Sequence, residues 1–383
     1  MDWSFLIKNK ESLNVTTDSR KVTPGCVFVA LKGEHFDGNA FIEQARKDGA
    51  EYIISGENAL LELQDLARAW RRELALPILA ITGTNGKTTT KELTAAVLST
   101  KYRLHYTQGN LNNQLGVPLT LLQITRAHEM AIVEMGASHP GDIKELVDIA
   151  EPNYGLITNV GRAHLEGFGS FEGVMRTKAE LYDYLREHGG FCFRNTDNPY
   201  LAKMAGDLQS IAYQTGTMPE GTHLVGGYNA ENVSAAICIG KYFGVSEEAA
   251  LAAIRAYVPS NNRSQLMQTE KNTVTVDAYN ANPTSMTAAI NAFNGDTYIL
   301  GAMRELGEYS HLEHQNIVNM LLERKADTVL LVGEEYKQTT APYPIFDNVD
   351  ALCEYLKTNT LENKRILLKG SRSNQLEKVI PYL

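Results

Sequence analysis

The stretch at 81–90, ITGTNGKTTT, contains the residue types that hold nucleotide phosphates. Gly83 and Gly86 allow tight backbone turns, so that amide groups can approach phosphate oxygens. Lys87 can bridge the outer phosphates, and the Thr88 hydroxyl can take a coordination position on Mg²⁺. The general pattern, G-x-x-x-x-G-K-[ST], would place its first glycine at position 81, where isoleucine stands, so this loop is a shortened form.

The segments on both sides of this loop favour nucleotide binding. ILAIT before it is predicted to be a strand, and TTTKELTAAVLS after it is predicted to be a helix. The helix N-terminus would supply free amides and a partial positive charge for a phosphate. The alternative is a glycine and asparagine turn with no ligand, but strand, Gly-Lys-Thr and helix in that order favour a nucleotide site.

Composition and charge exclude several classes of protein. With 43% hydrophobic and 21% charged residues, the 383-residue chain is typical of a globular protein of two or three domains. A net charge of −9 argues against nucleic-acid binding, although lysines and amides can still form a local pocket for an anion. The four cysteines form no C-x-x-C pair, which indicates reduced thiols. Without a signal-peptide pattern or a membrane-spanning apolar run, the expectation is a cytoplasmic monomer with no membrane insertion.

The elements that must position the loop alternate between strand and helix, which predicts an α/β fold with parallel sheets. We predict three domains, at 1–76, 77–257 and 258–383. A helical linker, ALLELQDLARAWRREL, ends the first. The second contains the predicted strands ILAIT, EMAIVEM, YGLITNV and GFCFRN, and a helix with Ser246 as its N-cap. The third contains TVTVDAY, TYILGAM, TVLLVG and RILLKG, which predict a second doubly wound unit.

Three further residues of the central domain could take part in chemistry. Glu134 lies near the carboxyl end of the predicted strand EMAIVEM, at the edge where ligands bind parallel sheets, and its carboxylate could hold Mg²⁺. His164 and Lys178 follow the next strand, in ITNVGRAHLEGFGSFEGVMRTKAEL. Each residue taken alone also has a simpler interpretation: a surface acid, a structural histidine and a solvated helix lysine.

With the shortened loop, these stretches resemble the central domain of the Mur ligases and of their relative folylpolyglutamate synthetase. The resemblance covers most of the chain. It implies a small N-terminal UDP-binding domain, a central ATPase domain and a Rossmann-like C-terminal domain for the amine substrate, with ATP and Mg²⁺ as cofactors. The loop residues implied in ATP binding are Gly83, Thr84, Asn85, Gly86, Lys87, Thr88 and Thr89.

The resemblance also implies a catalytic group of Lys87, Glu134, His164 and Lys178. Thr88 and Glu134 would hold one Mg²⁺. His164 would hold a second, together with Lys178 as a carbamate. Carbamylation requires a neutral amine, which burial favours because it makes the ammonium form costly.

Two later stretches resemble parts of the family's nucleotide site. VGGYNAENVSAAI resembles the segment whose asparagine approaches adenine, with Asn232 and then Asn229 as candidates, although Asn229 could instead cap the following helix. NNRSQL and TVDAYNANPTSM resemble the start of the third domain. Arg263 resembles the arginine that reaches the phosphates, with Asp277 and Asn280 at a strand end facing it.

Three stretches resemble the family members that join D-alanyl-D-alanine to UDP-N-acetylmuramoyl-tripeptide in peptidoglycan synthesis. They are TDSRKVTPGCVFVALKGEHFDG, QGNLNNQLGVPLTLL and the pair DAYNANPTSM and LGAMRELGEYSHLEH. This implies an acyl phosphate formed from the tripeptide carboxylate and ATP. The candidate substrate residues are Ser19 and Arg20 for UDP, Asn110, Asn112 and Asn113 for the peptide or sugar, and Asn282, Arg304 and His311 for the dipeptide.

The chain departs from the family between SIAYQTGT and THLVGGYN, where the family has a longer stretch. Either the central domain is trimmed or the sequence omits a segment around Met218. The alternatives in function are another carboxylate–amine ligase, such as another Mur step or a folate-type polyglutamate ligase, or a phosphate-loop regulatory ATPase.

Overall fold

The computed structural model describes residues 2–259 and 263–383. Three β-sheets follow one another along the chain, and each falls inside one of the predicted domain ranges. The α/β fold with parallel sheets is therefore confirmed, while the boundaries at 76 and 257 stay predictions. In the described residues, no helix combines the length and apolar character that crossing a bilayer requires.

The N-terminal sheet has three parallel strands in the order β1-β2-β3. Its elements are α1 Ser4–Ile7, β1 Val15–Thr16, a 3-10 helix Ser19–Lys21, β2 Val27–Ala30, a 3-10 helix Gly38–Phe41, α2 Ile42–Lys47, β3 Tyr52–Ser55 and α3 Ala59–Leu74. Residues 38–47 thus form a 3-10 turn followed by a short α-helix.

The predicted linker helix, α3, is more than a connection because its buried face joins the central core. The Trp70 indole donates to Ile124 O at 2.8 Å, and Arg71 Nε donates to Ala150 O at 3.1 Å. Leu63, Leu66 and Trp70 share one apolar cluster with Ile78 and Ala80 of the central sheet. The N-terminal sheet is therefore anchored to the central domain through a common core.

The central sheet has six parallel strands in the order β5-β6-β4-β7-β8-β9. Its elements are β4 Ile78–Thr82, α4 Lys87–Leu98, β5 Leu104–Tyr106, α5 Gly116–Leu122, β6 Met130–Glu134, α6 Asp142–Ala150, β7 Tyr154–Ile157, α7 Leu165–Phe168, α8 Phe171–Glu187, β8 Phe191–Asn195, α9 Pro199–Ala205, β9 Ser210–Tyr213, α10 Asn229–Tyr242 and α11 Glu247–Ala256. Ser246 caps α11 as predicted, since its side chain accepts from Ala249 N.

Strand β4 lies in the middle of this sheet and is covered on both faces. Ile78 and Ala80 face one apolar cluster, and Leu79 and Ile81 face the other. Both faces are buried, which explains the continuous apolar run ILAIT. The edge strands β5 and β9 are only partly buried and have no such run, so the sequence pattern did not predict them.

The C-terminal sheet has the order β10-β11-β15-β12-β13-β14, with β10 antiparallel and the others parallel. Its elements are β10 Gln265–Gln268, β11 Thr273–Asp277, α12 Pro283–Ala292, β12 Thr297–Gly301, a 3-10 helix Gly307–Tyr309, α13 Ser310–Glu323, β13 Thr328–Val332, a 3-10 helix Glu334–Gln338, β14 Ile345–Phe346, α14 Val349–Thr358, β15 Arg365–Lys369 and the 3-10 helices Arg372–Asn374 and Leu376–Tyr382. The four predicted strands are confirmed, and the edge strands β10 and β14 were not predicted.

Candidate active site

A cavity of about 1110 Å³ lies between the central and C-terminal domains, at the carboxyl ends of β4, β6, β11 and β12. Most of the residues selected from the sequence line it. They are Thr84, Asn85, Gly86, Lys87, Thr88, Thr89, Asn110, Asn112, Asn113, Glu134, His164, Asn229, Asn232, Arg263, Asp277, Asn280, Asn282 and Arg304. Residues from both halves of the chain therefore meet at one site.

The shortened loop requires its two glycines. Gly83 has a φ of 142°, and a Cβ there would lie 2.0 Å from Thr158 Oγ1. Gly86 has a φ of 78°, and a Cβ there would lie 2.4 Å from Asn232 Oδ1. Both backbone conformations are unfavourable for other residues, so glycine serves the close approach of the loop to its neighbours.

Three neighbouring groups hold Asn85, at the centre of the loop. Asn85 N donates to Asn159 Oδ1 at 3.0 Å, and Thr158 Oγ1 donates to Asn85 O at 2.6 Å. Asn282 Nδ2, from the C-terminal domain, donates to Asn85 Oδ1 at 2.8 Å. Sequence patterns did not single out Thr158 and Asn159, which lie at the carboxyl end of the predicted strand YGLITNV and just after the observed strand β7.

Lys87 begins α4 and folds back over the loop. Its Nζ donates to Gly83 O at 2.8 Å and to Thr84 O at 3.1 Å. Burial lowers its pKa from 10.5 to about 8, with Glu134 opposing and Arg263 adding to the shift. A desolvated cation beside free loop amides is well suited to phosphate oxygens, which would supply the missing negative charge.

Glu134 lies beside the loop, as predicted from its strand end. Its Oε1 accepts from Thr88 Oγ1 at 3.1 Å and from Asn112 Nδ2 at 2.9 Å. Its Oε2 is buried with no hydrogen bond to the described residues and faces Lys91 Nζ at 3.7 Å. A carboxylate oxygen without a hydrogen bond, next to a hydroxyl at a helix start, fits the oxygen ligands that Mg²⁺ requires.

No group of three or more His, Cys, Asp or Glu side chains assembles as a metal cage in 2–259 and 263–383. Proteins usually bind Mg²⁺ through one or two carboxylates together with substrate phosphates and water. Thr88 and Glu134 would therefore supply only part of the Mg²⁺ coordination, and nucleotide phosphates and water would supply the remaining ligands.

His164 precedes the short helix α7 with a φ of 50°. Its Nδ1 forms an ion pair with the carboxylate of Glu305, which follows β12 in the C-terminal domain. Glu305 could not be predicted from the sequence pattern, because only the packing of the two domains brings it to His164.

Lys178 lies on α8, whose N-cap is Ser170. Its side chain is 2% exposed, and its Nζ lies 5.8 Å from the centre of the Phe168 ring. Among the described residues its Nζ makes no hydrogen bond or ion pair. Burial, followed by the charge of Lys87, holds its pKa well below the usual value. Lys178 is thus not the solvated helix lysine of the simpler interpretation, although it is not among the residues that line the cavity.

Two asparagines of α10 also lie against the loop. Asn232 Oδ1 accepts from Thr90 Oγ1 at 2.9 Å, and Asn232 Nδ2 donates to Asn229 Oδ1 at 2.8 Å. The N-cap position of α10 belongs to Tyr228, so the capping interpretation of Asn229 is wrong. Its Nδ2 instead donates to Val225 O at 2.8 Å.

The C-terminal domain contributes a charged wall. The Arg263 guanidinium lies 3.8 Å from the centre of the Tyr279 ring. Asp277 pairs with the buried Lys369 Nζ at 2.7 Å, and Lys369 also donates to Asn280 O at 3.1 Å. Lys369, which ends the apolar strand RILLK, was not predicted from the sequence. The first two residues of NNRSQL, Asn261 and Asn262, lie outside the described residues.

Several substrate candidates have another partner or position. Asn112 binds Glu134, and Asn113 Oδ1 accepts from Gly116 N at 2.9 Å. Asn282 caps α12 while it holds Asn85, and Arg304 forms an ion pair with Glu335.

Three candidates lie away from the cavity. Ser19 and Arg20 belong to the N-terminal 3-10 helix, where Arg20 Nε and Nη2 donate to Asp18 at 2.9 and 2.8 Å. His311 is exposed on the first turn of α13, and its neighbour His314 is fully buried rather than on the surface. The dipeptide role of His311 therefore has no support from its position.

His314 holds the loop that carries Arg304 and Glu305. Its Nε2 accepts from Met303 N at 3.0 Å, and its Nδ1 lies 2.7 Å from Ser310 O, which it can meet only as a donor. This pattern needs the neutral ring, and burial lowers its pKa.

We expect His314→Phe to lower the free energy of unfolding by about 1–3 kcal/mol, because Met303 N is left buried without a partner. The neutral folded histidine binds fewer protons than the unfolded chain, so wild-type stability should fall as the pH drops below about 6.5. The variant should lose this part of the pH dependence. Urea unfolding between pH 5 and 7.5 measures both effects, and His311→Phe on the same helix is the control. Equal stability of the two variants would contradict the prediction.

Three family models match the chain. They are the Mur ligase family, catalytic domain, at 13–101, the Mur ligase middle domain at 81–220, and the Mur ligase, glutamate ligase domain, at 262–372. Together they cover most of the cavity residues of both domains, whereas Asn229 and Asn232 lie between the second and third matched ranges.

Named relatives match over nearly their full length. The chain is 33% identical to the UDP-N-acetylmuramoyl-tripeptide–D-alanyl-D-alanine ligase of Bacillus subtilis, covering 96% of this chain and 92% of the relative. It is also 33% identical to the enzyme of that name from Escherichia coli, covering 96% and 93%. The alignment with the Bacillus enzyme has 426 positions, more than the 383 residues of this chain. This agrees with the expectation that the chain lacks part of a stretch that the family has.

Solved structures agree with these relatives. MurF from Acinetobacter baumannii superposes with a TM-score of 0.86 at 29% identity, covering 96% of this chain and 92% of that one. MurF ligase from Thermotoga maritima in complex with ADP gives 0.86 at 27% identity, covering 98% of both chains. With three family models along its length and relatives a third identical over nearly all of it, the chain belongs to the Mur ligase family.

Proposed function

We propose that this chain joins D-alanyl-D-alanine to UDP-N-acetylmuramoyl-tripeptide, with ATP and Mg²⁺, as a cytoplasmic monomer. The observation that carries the proposal is the likeness to ligases named for this reaction over 96% of the chain. The cavity supports it, because a phosphate loop from one domain faces a polar wall from another. Such an arrangement suits a reaction that brings ATP, an acid and an amine together.

The reaction would proceed in two steps. An oxygen of the tripeptide carboxylate attacks the γ-phosphorus of ATP, the bond to the β–γ bridging oxygen breaks, and ADP leaves. The free amine of D-alanyl-D-alanine then attacks the carbonyl of the acyl phosphate, loses a proton, and phosphate leaves. The first step turns a carboxylate oxygen, which is a poor leaving group, into part of a phosphate, which leaves readily.

The residues at the loop would stabilise the transferring phosphoryl group. Lys87 lies over the loop with a desolvated ammonium, and loop amides and the N-terminus of α4 would hold the other phosphate oxygens. Thr88 and Glu134 would hold one Mg²⁺, which when bound offsets the negative charge that the phosphates bring. Their contact at 3.1 Å supports this assignment.

Lys178 would act as a carbamate. Its neutral amine would attack carbon dioxide, form the new N–C bond and release a proton, which gives an anionic group. The carbamate, with His164, would hold the second Mg²⁺. Burial of Lys178 without an ion pair among the described residues supports this role, because the cost of desolvating the cation outweighs the attraction of Asp142 and Glu180 and holds its pKa down.

The remaining binding residues are assigned to a substrate according to the domain in which they lie. Asn232 and Asn229 would approach the adenine, and Arg263, Asp277 and Asn280 would approach the nucleotide from the C-terminal side. Ser19 and Arg20 would hold the UDP portion in the N-terminal domain. Arg304 and Asn282, which line the C-terminal wall, would lie near the dipeptide.

A direct test is incubation of the protein with UDP-N-acetylmuramoyl-tripeptide, D-alanyl-D-alanine and Mg-ATP, followed by mass detection of the product. We expect one joined product per ADP released, and none when Mg²⁺ is chelated. A panel with single amino acids as amines and with folate-type acids separates other ligases. ADP release without an amide product would contradict the proposal and favour a regulatory ATPase.

A further inference from the structure

Two strained residues face each other across the boundary between the central and C-terminal domains. His164 has a φ of 50° and Glu305 has a φ of 59°, and neither is glycine. Their side chains form the ion pair between His164 Nδ1 and the Glu305 carboxylate. Strained backbone persists only where the surroundings impose it, and it is concentrated at functional sites.

The backbone on both sides keeps this contact in place. Glu166 lies two residues after His164, and its backbone N donates to Glu305 O at 3.4 Å. On the C-terminal side, Met303 N donates to the buried His314 at 3.0 Å, which fixes the start of the loop. A Cβ on Gly307 would lie 3.4 Å from Glu166 Cβ, so the loop also packs against α7. The ion pair is therefore surrounded by backbone hydrogen bonds and packing contacts that hold both residues in position.

The contact decides how the His164 ring can bind a ligand. With Nδ1 against a carboxylate, Nδ1 keeps its proton when the ring is neutral, and the lone pair is then on Nε2. A carboxylate in this position also orients the ring and raises the basicity of the other nitrogen. In this arrangement a neutral His164 ring can coordinate a cation through the lone pair of Nε2.

We propose that Glu305 is a positioning residue for His164, so that docking of the C-terminal domain completes the metal site of the central domain. The inference rests on the proposed function, since it concerns the Mg²⁺ that His164 would hold. Because Glu305 arrives with the domain that would bind the amine, the second metal site is complete only when that domain is closed. The acyl phosphate would then form mainly where the amine is at hand and water is excluded.

The same interface contains a second ion pair that serves as a matched control. Arg162 Nη1 pairs with Glu313 at 3.1 Å, and Arg162 N donates to Thr284 Oγ1 at 2.9 Å. Arg162 connects the same two domains, but its ion pair involves neither His164 nor Glu305. If Glu305 only helped the domains to dock, removing either ion pair would have the same kind of effect.

The test compares Glu305→Gln and Glu305→Ala with Arg162→Gln, using Mn²⁺ as a paramagnetic probe in the presence of a non-hydrolysable ATP analogue. The Glu305 side chain is 57% exposed, so both variants are expected to fold, which thermal unfolding verifies. We expect Glu305→Ala to weaken nucleotide-dependent Mn²⁺ binding and to lower kcat by about 10–100-fold, with a smaller loss for Glu305→Gln. The KM for the dipeptide should change less than kcat. Arg162→Gln should bind Mn²⁺ like the wild type.

Two results would overturn the inference: unchanged Mn²⁺ binding in Glu305→Ala, or equal weakening in Glu305→Ala and Arg162→Gln. The Mn²⁺ measurement needs no ligation product. If the wild-type protein bound Mn²⁺ and nucleotide but made no amide, the proposed function would fail while the comparison of variants still tested Glu305.

Discussion

Replacing Lys178 with alanine is expected to lower the rate of ligation on the order of 10³-fold, because the variant loses the anionic group proposed to hold the second Mg²⁺. The substitution removes a buried side chain that has no ion pair among the described residues, so the folded state should lose little electrostatic stabilisation. The loss should therefore appear in kcat rather than in thermal unfolding. Steady-state ADP release, with mass detection of the amide, measures it.

Chemical rescue separates a carbamate from a simple amine. A short carboxylate such as formate or acetate can occupy the space left by the side chain and supply an anionic oxygen, so partial recovery of Lys178→Ala is expected. Lys144→Ala is the control, because Lys144 is exposed on α6 and pairs with Asp148 at 3.4 Å. Full activity of Lys178→Ala would defeat the carbamate proposal. Intact-mass measurement at high bicarbonate gives an independent reading of the modification.

Replacing Lys87 with methionine is expected to reduce kcat about 10³-fold, since the variant keeps most of the side-chain volume but removes the charge over the transferring phosphoryl group. Among the described residues this ammonium donates hydrogen bonds only to backbone oxygens of the loop, Gly83 O and Thr84 O. The loop has other anchors at Asn85, so the variant should still fold. ATP affinity should fall less than kcat.

Rapid-quench measurement of the acyl phosphate, alongside nucleotide titration, distinguishes these effects. Lys101→Met is the matched control, because Lys101 lies just beyond the other end of α4 and donates to Phe243 O at 3.0 Å, away from the cavity. A Lys87→Met variant that formed the acyl phosphate at the wild-type rate would show that the loop amides and Mg²⁺ are sufficient. The proposed role of Lys87 would then be wrong.

The strands of the two larger sheets illustrate what local pattern predicts. ILAIT and TVLLV are buried on both faces and were predicted from their continuous apolar residues. The edge strands LHY, SIAY and QLMQ have mixed or partial burial, so their residues contain no apolar run that marks a strand. Their pairing depends on neighbouring strands rather than on their own sequence.

The candidate active site likewise combines residues that the local sequence predicts with residues that only the packing brings together. The sequence by itself determined the phosphate loop, because glycines, lysine and threonine act through local backbone geometry and a helix end. It also indicated Glu134, since the carboxyl ends of parallel strands are common ligand sites. Only the tertiary structure decided that Thr158, Lys369 and Glu305 belong to the same region.

The physical reason lies in the order of the strands. Because β4 lies between β6 and β7, the residues after these three strands meet at one edge, although the chain separates them widely. Glu305 and His164 meet only because two domains pack together, and burial of Lys178 depends on the helix and loop around it. Residue type and short spacing are local properties of the chain, whereas burial, charge environment and contact across domains are set by which surfaces the fold brings together.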